Sequence, residues 1–190
     1  MKTFNGFTVA LQFMLALLVT SAAHAEKADK DKPAVVEADR LTHNELTQTQ
    51  VFEGNVQLTR GTLVMRAARL ESKLDAEGYQ MVKAQGGAGK PTTFKQKREG
   101  LDETIEAEAM VLDFDGKADT IVLTDNAVLR RYAGGKLQDE VRGASIKFFN
   151  QTEYYEVKGG ASSSFEGGRV RMVLAPRVKP AVTQTAPVKP

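Results

Sequence analysis

Apolar and polar residues alternate with a period of two along most of residues 33–176. The alternation is clearest at residues 56–58, 112–114 and 170–174, and it predicts strands with one buried and one hydrated face. No segment has the pattern of a capped amphipathic helix, and residues 103–112 alternate as a strand does. The sequence therefore predicts an all-β fold. Turn signals rich in glycine and asparagine separate the strands, at residues 53–55, 86–87, 115–116, 134–135 and 159–160.

A two-part motif recurs along the chain with a spacing of roughly 30 to 40 residues. One part has the form apolar-x-Ala/Gly-x-x-apolar, and the other is a turn followed by a small or branched residue. Each unit is too short to bury a face alone, so stacked units would enclose a continuous interior. The small residue suits a place where two backbones come close. An ordinary antiparallel sandwich remains the alternative. The first part occupies residues 36–41, 65–70, 105–110 and 141–146, and the second occupies residues 54–56, 86–88, 125–127 and 159–161.

The two chain ends predict export and a single folded domain. Residues 1–25 are typical of a cleavable signal peptide: Lys2 precedes the apolar run 7–19, and Ala23 and Ala25 supply the small residues of a cleavage site. The run is shorter than the roughly 20 residues that a membrane span needs, although an uncleaved anchor is the alternative. We expect a polar segment at residues 26–32, one domain at 33–176 and a proline-rich, disordered tail at 177–190.

Charge and cysteine content narrow the function classes. Of the 26 lysines and arginines, Lys2 lies in the signal segment, which leaves 25 against 24 aspartates and glutamates. The two signs are mixed along the chain and form no basic stripe, which argues against a nucleic-acid partner. The chain has no cysteine. A lipoprotein signal is therefore excluded, and an exported fold must rely on its core rather than on disulfides.

Residues that could perform catalysis are sparse. His43 is the one histidine outside the signal segment, and without cysteine it cannot form a zinc site of the usual kind; we expect it in an exposed loop. Asp113 and Asp115 share a strand face, as the carboxylates of a polysaccharide hydrolase could, but the polar face of a half-buried strand has the same composition. Residues 86–89 lack the lysine and hydroxyl residue of a P-loop. We predict no catalytic residues, no metal and no cofactor.

The first and last predicted strands, at residues 34–41 and 168–175, leave open edges. An unpaired strand edge is a template for another strand. We therefore predict head-to-tail joining of copies, with edges covered by the flanking tails as the alternative. The predicted edge residues are Val35, Val36, Val170, Met172 and Leu174.

Several motifs in order resemble the OstA-like domain family. Residues 52–56 (FEGNV), 61–63 and 67–70 resemble its opening, and residues 89–96 (GKPTTFKQ) resemble its central segment. Residues 123–129 resemble the LTGNAxL motif, with Asp125 in place of glycine, and residues 168–176 resemble the closing segment. The resemblance covers about residues 33–176, nearly all of the predicted domain.

The resemblance implies an open β-jellyroll of two facing antiparallel sheets in a periplasmic protein associated with both membranes. It implies carriage of lipopolysaccharide, with the lipid A acyl chains inside, along a bridge between inner and outer membranes. Copies of the chain, or LptC-like and LptD-like partner domains, would join end to end.

Apolar residues of the alternating strands are the predicted lipid-binding lining, and Val36, Phe94 and Phe114 fall where the family's interior residues lie. Plain core packing is the alternative for each of them. A scaffold that polymerises without lipid is the rival function. The predicted lining consists of Val36, Val56, Leu58, Leu63, Met65, Phe94, Leu112, Phe114, Ile121, Leu123, Leu129, Ile146 and Phe148.

Overall fold

The computed structural model describes residue 29 and residues 31–98, 101–152 and 154–176. The predicted signal peptide, most of the polar segment and the predicted tail lie outside the described residues. A short 3₁₀ helix (Glu166–Gly168) accompanies twelve strands, and the predicted all-β fold is confirmed. The strands are β1 (Val35–Glu37), β2 (Arg40–Asn44), β3 (Thr49–Arg60), β4 (Leu63–Leu74), β5 (Gln80–Gln85), β6 (Thr92–Arg98), β7 (Glu103–Ala109), β8 (Val111–Asp115), β9 (Thr120–Ala133), β10 (Lys136–Phe149), β11 (Tyr154–Lys158) and β12 (Arg171–Leu174).

The four long strands β3, β4, β9 and β10 each belong to two sheets, because each changes partners part-way along its length. Sheet I has the order β1-β3-β4-β6-β7-β9-β10-β12. Sheet II has the order β2-β3-β4-β5-β8-β9-β10-β11. All pairs are antiparallel. The molecule is thus one ladder folded along a crease into two facing sheets, the predicted jellyroll.

Bulges bend the long strands at the crease. The β3–β4 register shifts between Glu53 and Val56, where Gly54 and Asn55 have φ of 78° and 47°. The predicted turn at residues 53–55 is therefore wrong, because these residues kink one continuous strand rather than end it. Asp125 and Asn126, with φ of 64° and 56°, do the same in β9. Although Asp125 stands where the family motif has glycine, it still adopts the positive φ of the bulge.

Small residues let the two sheets approach each other along the crease. Ala84 and Ala127 are fully buried, and Ala109 is almost so. A Cβ on Gly143 would lie 2.7 Å from the Lys158 carbonyl oxygen, so this position of β10 has no room for a side chain. Two small residues of the repeated motif, Ala127 and Gly143, therefore lie where there is little room for a larger side chain.

Three further sequence predictions need correction. Residues 34–41 form parts of two strands in different sheets, since the chain crosses from β1 to β2 and Asp39 N–H donates to the Gly54 carbonyl (2.9 Å). Residues 103–112 likewise divide between β7 and β8 at Met110, because each half pairs with a different partner. His43 is exposed, as expected, but lies in strand β2 rather than in a loop.

Candidate functional site: the trough between the sheets

Apolar side chains from the inner faces of both sheets form one continuous cluster. All predicted lining residues except Phe148 belong to a single hydrophobic cluster or pack against it, and Phe148 pairs with Ile121 in the β9–β10 register, on the same face. The structure thus brings the predicted set together. It divides that set into two groups by exposure.

The first group is buried and packs the base of the trough. Ile146 has no exposed surface, and Leu112 retains 2%. These side chains act as core whatever else the trough holds. The buried members are Val56, Met65, Phe94, Leu112, Leu123 and Ile146.

The second group is half-buried and lines the more open part of the trough. Leu58 and Leu63 flank the β3–β4 turn, and Phe114 and Ile121 flank the β8–β9 turn. Their remaining exposure leaves apolar surface that a lipid chain could cover. The half-buried members are Val36, Leu58, Leu63, Phe114, Ile121, Leu129 and Phe148.

A cleft of about 220 Å³ opens between the sheets at the β1 end of the trough. Pockets for drug-sized ligands are larger, roughly 300–1,000 Å³, so the cleft has room for part of an extended chain but not for a whole lipid. Sheet I contributes Val36 and Leu58, and sheet II contributes a mixed apolar and polar wall. The lining comprises Ala34, Val36, Gln50, Phe52, Leu58, Leu70, Ser72, Gln80 and Val82.

The strand ends remote from the crease form two lips of different character. On its inner side, the lip of sheet II is apolar at Phe114 and Phe148 and polar toward β1, at Gln50, Ser72 and Gln80. On the inner side of sheet I, Arg98 Nη1 donates to Glu103 Oε2 at 2.7 Å, and Arg131 Nη1 donates to Glu103 Oε1 at 3.0 Å. This places the charged hairpin β6–β7 at the trough rim. These residues lie on the inner face, because Arg98, Glu103 and Arg131 are each an even number of positions from the inner residues Phe94, Ala107 and Leu129, which pair with one another.

A second ionic network covers the outer face of sheet I. Arg130 donates to Glu108 at 2.6 Å and to Glu140 at 2.8 Å. The pKa of Glu140 is lowered to about 2, mainly by a hydrogen bond from Arg142. Partial burial of Glu140 acts in the opposite direction, and Arg130 lowers the pKa further. The pKa of Arg131, at the inner lip, is raised mainly by its hydrogen bonds to Asp139.

The edges of sheet I are β1 and β12, and those of sheet II are β2 and β11. Val35, Met172 and Leu174 are 56%, 46% and 61% exposed. Tyr155 Oη contacts Met172 Sδ at 3.9 Å, which joins the two sheets at the β12 end. The predicted last strand, 168–175, is shorter than expected: β12 begins at Arg171, and Val170 lies just before it. Whether Val170 takes part in an edge between copies stays a prediction.

The side chains considered for catalysis have structural partners. Asp113 lies 3.7 Å from Lys83 on the outer face. Asp115 accepts the N–H groups of Lys117 and Ala118, both at 2.9 Å, and so closes the β8–β9 turn. Among the described residues, no cluster of three or more His, Cys, Asp or Glu side chains could hold a metal ion. Nor does any helix in that part of the chain have the length and hydropathy to span a membrane.

A family model described as LptA/(LptD N-terminal domain) LPS transport protein matches residues 35–154. The chain belongs to this family. The lipopolysaccharide export system protein LptA of Escherichia coli K12 is 27% identical over 173 residues, which covers 90% of this chain and 87% of that protein. The family assignment confirms the resemblance that the motifs indicated.

Two LptH comparisons agree with the family. The lipopolysaccharide export system protein LptH of Pseudomonas aeruginosa is 24% identical over 175 residues, with 90% of this chain and 96% of that protein covered. A crystal structure of LptH, described as the LptA homologous periplasmic component of the lipopolysaccharide transport device of that organism, superposes with a TM-score of 0.65. It covers 78% of this chain and 99% of that one at 22% identity, and shares the fold.

Sequence reasoning missed part of the LptA-family trough. Tyr155 and Val157 pack against the cluster from β11, a strand that was not predicted. The alternation in residues 154–158 was the available signal. Phe52, Leu70 and Val82 line the cleft and were also missed, because single alternating residues do not say which strands face each other.

Proposed function

We propose that this protein carries lipopolysaccharide through the periplasm, with the lipid A acyl chains held between sheets I and II. The observation that carries the proposal is the continuous apolar cluster between the sheets, half-buried toward the lips, in a chain of the LptA/LptD N-terminal family. The named relatives are lipopolysaccharide export system proteins. The role is binding and transfer, not catalysis.

The physical basis is burial of methylene groups. Each methylene transferred from water to an apolar site contributes about 0.8 kcal/mol, so a chain with about ten buried methylenes would gain about 8 kcal/mol. Half-buried Phe114 and Ile121 supply such a site without imposing a hydrogen-bonding pattern. Because the cleft measures only about 220 Å³, the lips must separate to admit a whole lipid. The thirteen-residue lining predicted from the sequence, with its half-buried members in contact with the chains, belongs to this proposal.

Transport between membranes needs a continuous path, and the sheet edges offer one. β12 of one copy would pair with β1 of the next, in register with the trough, and LptC-like and LptD-like domains would cap the ends. The support is that both strands are exposed edges of the same sheet. Export by a signal peptide cleaved after Ala25, with the folded domain at residues 33–176, completes the proposal.

Depletion of the protein in the bacterium that makes it tests the function. Lipopolysaccharide should accumulate at the inner membrane, and protein purified from undepleted cells should carry lipid A detectable by mass spectrometry. Normal delivery of lipopolysaccharide after depletion would overturn the carrier role. Assembly of lipid-free protein, with no lipid bound at any stage, would instead favour the scaffold.

A further inference from the structure

Arg60 occupies an unusual place at the mouth of the cleft. It is the last residue of β3, on the same face as Val56 and Leu58, and therefore points to the inner side of sheet I. Its Nη2 donates a long hydrogen bond of 3.5 Å to Gln80 Oε1 on sheet II, across the opening between the lips. Gln80 in turn lines the cleft.

The charge of Arg60 has no carboxylate partner within 4.0 Å among the described residues. Its Nε is buried and has no hydrogen-bond partner in that part of the chain. Other half-buried arginines are paired, as Arg69 is with Glu53 at 2.7 Å and Arg130 with Glu140 at 2.8 Å. A guanidinium that is partly removed from water and matched only by a neutral amide is under-satisfied.

The cleft wall next to Arg60 is suited to an anion, and the nearby carboxylate of Asp29, which lies against Gly61, is already bound by Thr62 and Gln96. The polar wall of the cleft consists of Gln50, Ser72 and Gln80, which are neutral and can donate hydrogen bonds. Gln80 Nε2 donates to Ser72 Oγ at 3.2 Å, so the side-chain oxygen of Gln80 faces Arg60. An anionic oxygen could displace that weak bond and take the guanidinium fork.

We propose that Arg60 binds a phosphate group of the lipid while the acyl chains enter the cleft beside it. The inference rests on the carrier function proposed above and specifies its ligand: a phosphorylated lipid, read at the mouth of the β1 end. Engagement of the phosphate breaks the Arg60–Gln80 contact across the lips, so headgroup recognition and widening of the trough occur together.

The test compares binding of lipid A that carries its phosphates with binding of the same lipid after dephosphorylation. Arg60→Gln should weaken binding of the phosphorylated lipid about tenfold, the effect of one lost charge-assisted contact, and should change binding of the dephosphorylated lipid by less than about twofold. Arg60→Lys keeps the charge without the fork and should fall between. Arg66→Gln is the matched control, since Arg66 is exposed on the next strand and pairs with Gln57, so it points to the outer face.

The outcomes separate this inference from the carrier function. Equal effects of Arg60→Gln on both lipids, or none on either, would overturn the phosphate site while wild-type binding keeps the carrier role. Wild-type protein that binds neither lipid would refute both. Displacement of bound lipid by an equivalent amount of inorganic phosphate would show a free-phosphate site and overturn the lipid assignment. If Arg60→Gln does not fold, as judged by circular dichroism, a phosphate-selective loss in Arg60→Lys decides the matter.

Discussion

Proline at Leu174 should disrupt end-to-end assembly while leaving the monomer folded. Ala175 N–H donates to the Gln138 carbonyl at 2.6 Å, so these two residues form a hydrogen-bonded pair of the antiparallel ladder. Pairs alternate between bonded and non-bonded along such a ladder. Leu174 and Asp139 therefore form a non-hydrogen-bonded pair, and the Leu174 N–H points away from β10 to the open edge. The N–H of Met172, two residues earlier, points to the same edge.

The size of the effect follows from this geometry. A neighbouring strand paired along β12 could use the N–H and C=O groups of Met172 and Leu174, about four hydrogen bonds at about 0.5–1.5 kcal/mol each. Proline removes one donor, leaves an acceptor of the neighbour unpaired and puts its ring at the interface. We expect a loss of about 1–3 kcal/mol, which is a roughly 5- to 150-fold rise in the dissociation constant.

Light scattering over a concentration series measures the shift toward monomer. Leu174→Ala is the control, because it shortens the side chain but keeps the N–H group, and it should assemble much more tightly than Leu174→Pro. Val173→Pro should instead weaken the fold of the monomer. Val173 lies opposite Glu140 in a hydrogen-bonded pair, so proline there removes a hydrogen bond between β12 and β10 and detaches β12. Undiminished oligomers of folded Leu174→Pro would refute the edge assignment.

Three further substitutions test the core, the trough lining and the outer ionic network. Ile146→Ala, at a fully buried position, should lower the free energy of unfolding by about 2–5 kcal/mol. Phe114→Ala, at a half-buried position, should lower the free energy of unfolding by less but weaken lipid binding by more. Equal losses of unfolding free energy in urea would show that Phe114 is an ordinary core residue. The folded-state pKa of Glu140 is lowered to about 2 from 4.5, chiefly by the hydrogen bond from Arg142. The stabilisation is therefore present above about pH 4.5 and lost as the pH falls through about 2. Glu140→Gln should flatten that part of the stability profile, and thermal unfolding with an unchanged pH dependence would contradict the assignment.

Alternation predicted the inner faces well, because side chains on a strand alternate strictly between its two faces. The lining residues from Val36 to Ile146 therefore reached one cluster even though the pairing of their strands was unknown. Family motifs added the jellyroll and the cargo hypothesis. Whether each half-buried lining residue touches lipid stays a prediction.

The remaining features depend on contacts between distant parts of the chain. Gly54 and Asn55 favour positive φ, and such residues end a strand or bend it; the sequence alone does not distinguish the two. The isolation of Arg60 from carboxylates likewise follows from which strands meet at the cleft. Its sequence position, at the polar end of an alternating strand, gives no sign of it.

The central claim is that lipid lies between the sheets, and adjacent residues of β8 test it most directly. Phe114 faces the trough, whereas Asp113 faces outward beside Lys83. A photo-crosslinking amino acid at position 114 should capture lipopolysaccharide in cells, and the same amino acid at position 113 should not. Capture from position 113 alone, or equally from both positions, would contradict the account.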